Sequence, residues 1–569
     1  MTPLRIANCS GFFGDRLSAA REMVDGGPID VLTGDWLAEL TMLILARQRE
    51  RQTGAGFART FLRQMEDVLG TCLERGIKIV SNAGGLDPAG CAAALAELAG
   101  GLGLHPHIAY LEGDDLLPRL DELRAAGESL QHFDTAEPLA HQPSTANAYL
   151  GGFGVAAALQ HGADVVITGR VTDASLVVGP GIWRFGWARD AWDQLAGAVA
   201  VGHILECGAQ TTGGNYAFFQ EVPGIEHCGF PLAELESDGS AVITKHPGTG
   251  GLVSVGTVTA QLLYEIDSPA YVNPDVVARF DTIQLAQDAP DRVRVAGVRG
   301  EPAPTRLKVG LTFPAGFRNS MTFVLTGLEL DAKADVALRT LWSAFPGGAS
   351  YFEATSVEVR NDELRITVKD RDERKVGRAF SSRAIEMALS SYPGLFTTTP
   401  PGDAQPYGVF WPTTVASELV CQRVFVDGQA VAEVPCTPTS SPAAPVVTPA
   451  FTTSWPRDEL VHVPLGRVAG ARSGDKAGRA NVGVWVESDA AYAWLAATLS
   501  VDCLRTLVPE AATLPLHRFE LPNLRALNFV VDGLLGRGVG DSTRYDPQAK
   551  SLGEYLRAQH VDVPRALLR

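Results

Sequence analysis

The sequence predicts an α/β fold that opens with a parallel sheet, continues into an α+β second subdomain and ends in a small α+β domain. Three observations predict it. Short β-branched or apolar runs alternate with longer helical patterns over the first 170 residues, the rhythm of a parallel sheet with helical crossovers. From Gly251 to about Val434 the pattern changes to many short strands with few helices. Thr437 to Pro456, TPTSSPAAPVVTPAFTTSWP, is rich in Pro, Ser, Thr and Ala and reads as an extended linker.

In chain order, strands are predicted at Leu4–Asn8, Asp30–Leu32, Ile77–Ser81, Ile108–Leu111 and Ala163–Thr168. Between them Arg16–Val24, Trp36–Arg49, Phe57–Arg75 and Pro88–Leu102 place apolar residues at i, i+3 and i+4, the helical spacing. Each strand runs into a loop carrying Gly, Asp or Asn. In an open, Rossmann-like parallel sheet, ligands sit outside the carboxyl ends of the strands, so the five loops are expected to line one crevice. A helix at Ala191–Cys207 and a glycine-rich stretch to Gly214 complete a ligand-binding region at residues 1–250.

Residues 251–436 are read as the α+β subdomain, with strands at Val253–Val258, Arg292–Val298, Arg306–Leu311, Ser356–Arg360 and Leu364–Val368. Beyond the 437–456 linker, residues 457–569 read as strand (His462–Arg467), Gly/Lys/Arg loop, strand (Val482–Val486), helix (Ala490–Leu507), strand region (Leu516–Asp532) and helix (Leu552–His560). That order fits a ferredoxin-like α+β layer. No internal repeat of 20–50 residues is found.

Composition narrows the function classes. With 46% hydrophobic and 20% charged residues the chain is ordinary globular protein. The 48 basic and 65 acidic side chains give a formal charge of −17, which repels phosphate backbones and argues against nucleic-acid binding. From Arg457 onward there are 14 basic and 13 acidic residues, against 34 and 52 before it, the mark of two differently built parts. The eight cysteines lie far apart and form no zinc-type spacing, so free thiols in a reducing compartment and no metal site are expected. The first residues lack a signal-peptide pattern, and Tyr149–Leu159, the longest apolar stretch free of charge, is too short to span a bilayer. A cytoplasmic protein without membrane association is the expectation.

Several loops carry candidate chemistry. Gly11-Phe-Phe-Gly14-Asp15-Arg16 follows a strand and opens a helix, where amides can cradle an anion or Asp15 can simply cap the helix. Asp35 and Glu39 stand four apart at a helix start, a pair suited to acid/base work but equally to the helix dipole. Asn82-Ala83-Gly84-Gly85 and Asp114 end two further strands. Arg170 and Asp173 follow the strongest strand, Asp164-Val165-Val166-Ile167, with a local ion pair as the plainer reading. Glu206, at a helix end and before Gly208 and Gly213-Gly214-Asn215, is the candidate for proton transfer, while Cys207 reads as a packing residue. Lys245, Gly248 and Thr249 form a glycine loop that resembles an anion cradle in composition, and Arg472, Lys476 and Arg479 concentrate cations in the last domain.

The strings GFFGDR, TGDWLAELTM, NAGGLDP, ITGRVTDASLVVGP, GHILECGAQTTGGN, KHPGTGG and TVTAQLLYEI, then RSGDKAGRANVGVWV and NLRALNFVVDGLLGRG, resemble the acyclic terpene utilisation family named for AtuA over nearly the whole chain. The resemblance implies a large N-terminal domain, a ferredoxin-like C-terminal domain and a role in catabolism of branched or terpenoid acyl-CoA thioesters. A hydratase or lyase is implied, with coenzyme A as part of the substrate and no separate cofactor. The expected catalytic set is Glu206, Asp173 and Arg170, and substrate binding falls to the loop residues above, with Arg472 and Lys476 supplying cations. A non-catalytic accessory role beside an acyl-CoA carboxylase is the alternative, and a homo-oligomer is expected.

Overall fold

The computed structural model describes residues 2–52, 54–398, 400–437, 454–456 and 459–568. Most of the predicted linker, residues 438–453, lies outside the described residues.

The protein is a mixed α/β structure. Six strands begin it: β1 (Leu4–Asn8), β2 (Val31–Gly34), β3 (Lys78–Ser81), β4 (Ile108–Glu112), β5 (Thr145–Ala148) and β6 (Val165–Ile167). Five of them form a parallel centre in the order β1-β2-β3-β6-β4. Their near-continuous apolar sequences reflect burial on both faces. On one side pack Phe61, Met65 and Leu69 of helix Arg59–Arg75 and Leu95 of helix Pro88–Gly101. On the other pack Val155, Val178, Leu195 and Val199 of three later helices.

The sheet does not end with the parallel array. Pro231–Leu235 lies antiparallel to β1, and Ala241–Lys245, Arg292–Ala296 and Gln284–Ala289 extend that edge. Cys421–Val426 lies antiparallel to β4, with Gln429–Pro435 outside it. The result is one mixed sheet of eleven strands that draws on both sides of residue 250. Within the additions three neighbouring pairs, 231–235 with 241–245, 284–289 with 292–296 and 421–426 with 429–435, are hairpins, which need no helical crossover. β5 leaves this sheet and pairs with the 19-residue strand Arg306–Val324 of a second, antiparallel sheet, which has its own core around Phe323, Leu341, Ile366 and Phe380.

Three predicted elements differ. Ala490–Leu507, read as one helix, is two, Asp489–Thr498 and Val501–Leu507, because the Ser500 side chain caps a new start by accepting from Cys503 N. Val253–Val258, read as a strand, lies mostly in the helix Val255–Leu262, because Ser254 and Thr257 form a reciprocal capping box that starts it. The Gly/Lys/Arg stretch 472–479, read as a loop, forms most of a β-hairpin, Gly470–Lys476 with Arg479–Trp485. Ala477 takes φ 57°, so the chain reverses in two residues and the polar side chains stay in the ladder. With Ala526–Val531 and Leu516–Leu521 the hairpin makes a four-stranded antiparallel sheet over a core of Val482, Tyr492, Trp494, Leu495 and Phe529.

Candidate functional site

The loops that leave β2, β3, β4 and β6 meet above the carboxyl edge of the sheet. Asp35 follows β2, and its Oδ1 accepts from Leu37 N (3.0 Å) and from Asn82 Nδ2 (2.5 Å), while Asn82 Oδ1 accepts from Trp36 N (2.8 Å). Asp114 follows β4. Its Oδ2 accepts from Asn147 Nδ2 (2.8 Å) and from the Arg170 amide (2.9 Å). Arg170 follows β6, is 4% exposed, and donates to Asp173 (2.7 Å). Its guanidinium lies 4.2 Å from the centre of the Tyr149 ring. The local ion pair thus stands among the loop ends that the sequence placed together, and parallel neighbours deliver this because their ends share an edge.

Glu39 extends the cluster. It accepts from Tyr149 Oη and Lys308 Nζ, both at 3.3 Å. Burial works against its charge, but Lys308 and Arg170 hold it down at about 2. Lys308 comes from the long strand of the second sheet.

Glu206 enters from the end of helix Trp192–Leu205. Asn8 at the end of β1 donates to the Leu205 carbonyl (2.5 Å) and Gly11 packs against the Glu206–Cys207 backbone, which fixes that turn over the sheet edge. One Glu206 oxygen lies 2.9 Å from Nδ1 of buried His203, without the alignment of a hydrogen bond, and Oε2 is buried without a partner. Burial and the Asp173 charge push Glu206 well above the carboxylate range, against the pull of Lys476 and Arg170. Burial, with Asp173, likewise raises Asp35, and burial, with Lys476, pushes His203 down to about 4. Burial and Glu206 raise the Cys207 thiol, so it is protonated and unsuited to nucleophilic attack.

The C-terminal domain closes the cluster. Its Asn481 and Asn528 grip the chain at residues 263–267: Asn481 accepts from Glu265 N (2.9 Å) and donates to Leu263 O (2.7 Å), and Asn528 donates to Asp267 O (2.7 Å). Lys476 then lies 5.4 Å from the centre of the Tyr271 ring and Arg472 4.5 Å from that of Tyr264. Lys550 bonds the Tyr264 hydroxyl and lies 3.6 Å from Glu265. Burial raises Glu265 to about 8, with Lys476 opposing and Glu39, Glu206 and Asp173 reinforcing. Arg472 and Lys476 therefore face carboxylates of the large domain.

Other sequence candidates stand apart. Asp15 accepts from Gly11 N (2.8 Å) within its own loop, Gly14 is exposed, and Arg16 turns to Glu22 (2.7 Å) and the Phe230 ring. Gly84 and Gly85 are buried packing positions, a Cβ on Gly84 standing 2.6 Å from Thr168 O. The amides of Gly213 and Gly214 are used by Gln210 O and Ala209 O, so they offer no oxyanion donors, and Asn215 is exposed beside Gln210. Lys245 is held by Thr249 O (2.8 Å) and Asp291 (3.2 Å), and Thr249 Oγ1 bonds His246 O, so residues 245–249, Gly248 included, form a turn whose cation is already paired. Tyr149, Lys308, Tyr264, Glu265, Tyr271, Asp475 and Lys550 join the cluster without having been singled out. Tyr264 and Glu265, inside TVTAQLLYEI, and Asp475, inside RSGDKAGRANVGVWV, lay in strings the sequence had marked; the other four did not.

Comparison with known proteins agrees with this division. No curated protein and no solved structure matches the chain. Residues 463–562 match the AtuA ferredoxin-like domain. Residues 4–426 match the acyclic terpene utilisation family protein AtuA, and the chain belongs to that family.

Proposed function

We propose that the chain is an enzyme that transfers a proton during hydration, dehydration or retro-aldol-type cleavage of a branched or terpenoid acyl-CoA thioester. One observation carries the reading: several buried polar atoms of the cluster, among them Glu206 Oε2, Arg170 Nε and the ring nitrogens of His203, have no partner among the described residues. Unsatisfied buried polar atoms cost stability and mark places where a ligand completes the hydrogen bonding. Glu206, held protonated, donates a proton to a leaving hydroxyl and as carboxylate takes it back in the reverse direction. Arg170, with Lys476, stabilises the charge that grows on the thioester oxygen as an enolate forms. Asp173, about a third exposed, takes the proton that the α carbon loses as the enolate forms and passes it to solvent, and its charge keeps Glu206 in the acid form. In this reading the parallel centre serves as a Rossmann-like platform in a cytoplasmic enzyme, and coenzyme A enters only with the substrate.

The test is turnover of a panel of branched enoyl- and 3-hydroxyacyl-CoA thioesters followed by mass spectrometry. Gain or loss of water identifies a hydratase, and cleavage into a shorter acyl-CoA and a free aldehyde or ketone a lyase. No mass change across the panel overturns the enzymatic reading. The accessory reading, a subunit beside an acyl-CoA carboxylase or a self-associating one, draws on Leu328, Leu389 and Phe396, apolar side chains fully or largely exposed on the second subdomain.

A further inference from the structure

A cavity of about 570 Å³ opens at the carboxyl ends of β3 and β4. Its wall includes the start of helix Pro88–Gly101, a place that ordinarily favours anions. Here the preference is already met, because Asp87 caps the helix by accepting from Gly90 N at 2.8 Å. The remaining wall is strongly acidic. Glu112, Asp115, Glu418 and Glu433 line it, the last three exposed at its rim. Of its two cations, Arg423 is paired with Glu112 (2.9 Å) and Arg119 is turned to Glu122 (2.6 Å).

Two buried side chains form the inner wall. Asp114 accepts hydrogen bonds, and Asn147, 3% exposed, donates one N–H to Asp114 while its Oδ1 lacks any partner among the described residues. The inner wall therefore presents acceptors and the rim presents negative charge. Among the described residues no group of three or more His, Cys, Asp or Glu is set to hold a metal ion. A ligand complementary to this wall carries N–H donors and positive charge on an organic frame.

We propose that this cavity is a binding site for a small organic cation with primary ammonium groups, one of which donates to Asn147 Oδ1 while the other meets the Glu418–Glu433 rim. The site is separate from the proposed catalytic cluster and does not depend on its chemistry. It touches that cluster through one residue, since Asp114 holds both Asn147 and the Arg170 amide.

Isothermal titration of the full chain with putrescine, against 1,4-butanediol as the neutral probe of equal length, tests it. Saturable binding of one putrescine per chain and none of the diol is expected. Asn147→Leu should weaken binding at least tenfold, and the exposed double variant Glu418→Gln/Glu433→Gln should do the same if Asn147→Leu does not fold. Equal binding of the diol, absence of putrescine binding, or several weak equivalents indifferent to the rim variant would each overturn the proposal, the last by identifying a diffuse counterion cloud around a chain of charge −17.

Discussion

Asn481 holds Glu265 from across the domain boundary, accepting its N–H at 2.9 Å while donating to Leu263 O at 2.7 Å. Glu265 sits at φ 57°, a left-handed conformation that a non-glycine residue keeps only when its surroundings impose it. Asn481→Leu would strand a buried amide and a buried carbonyl, at about 1–3 kcal/mol for each group left unpaired. Calorimetry should show a C-terminal unfolding transition at lower temperature, split from that of the large domain. An unchanged single transition would mean that the clamp contributes nothing.

A close approach makes the same boundary sensitive to size. A Cβ on Gly474 would stand 2.5 Å from Tyr264 Cε2 and 2.8 Å from Glu265 Cγ, so Gly474→Val should push the hairpin off the 263–267 segment and expose Arg472 and Lys476. Gly100, inside helix Pro88–Gly101, meets nothing within 4 Å, and Gly100→Ala should stabilise by up to about 1 kcal/mol through helix propensity alone. Hydrogen exchange over residues 263–267 separates the two: faster in the first variant and unchanged in the second. Equal exchange in both would contradict the packing argument.

Asp114 makes stability depend on pH in a defined direction. Burial raises it from 3.8 to about 6, against the hydrogen bonds from the Arg170 amide and Asn147. The folded state therefore keeps a proton that the unfolded chain releases at lower pH. The stability from this group is complete below pH 3.8 and is lost as pH rises through about 6, by about 3 kcal/mol in all. Asp114→Asn should flatten that fall. The difference in urea midpoint between wild type and variant, followed from pH 4 to 7, measures it; a constant difference would refute the assignment.

What the sequence revealed of the site follows from what strand order alone determines. Strand ends in a parallel array share an edge whatever the side chains, so Asp35, Asn82, Asp114, Arg170 and Asp173 could be placed together from alternation alone. Lys308 could not, because it sits within a long strand of a different sheet and its approach to Glu39 depends on how two sheets pack. The glycine strings misled for a local reason: at Gly213 and Gly214 the amides are consumed by the turn that the glycines permit. The hairpin at 470–485 was hidden because its polar residues are buried against a partner domain, where period-2 hydrophobic alternation no longer applies.

The acid role of Glu206 yields the sharpest kinetic expectation. Glu206→Gln keeps the shape and the hydrogen-bonding oxygen but cannot exchange a proton, so kcat on the productive thioester should fall about 10²–10⁴-fold with binding largely retained. The acid form is required, hence activity should decline as pH rises through the elevated Glu206 value. That limb should respond to its neighbours in opposite senses. Asp173 raises Glu206 and Lys476 lowers it, so Asp173→Asn should move the limb to lower pH and Lys476→Met to higher pH. A merely structural role for either residue would reduce activity without displacing the profile. Full activity in Glu206→Gln would transfer the proton to Asp173 or Asp35, and limbs that shift in the same direction would exclude the electrostatic coupling between the two domains.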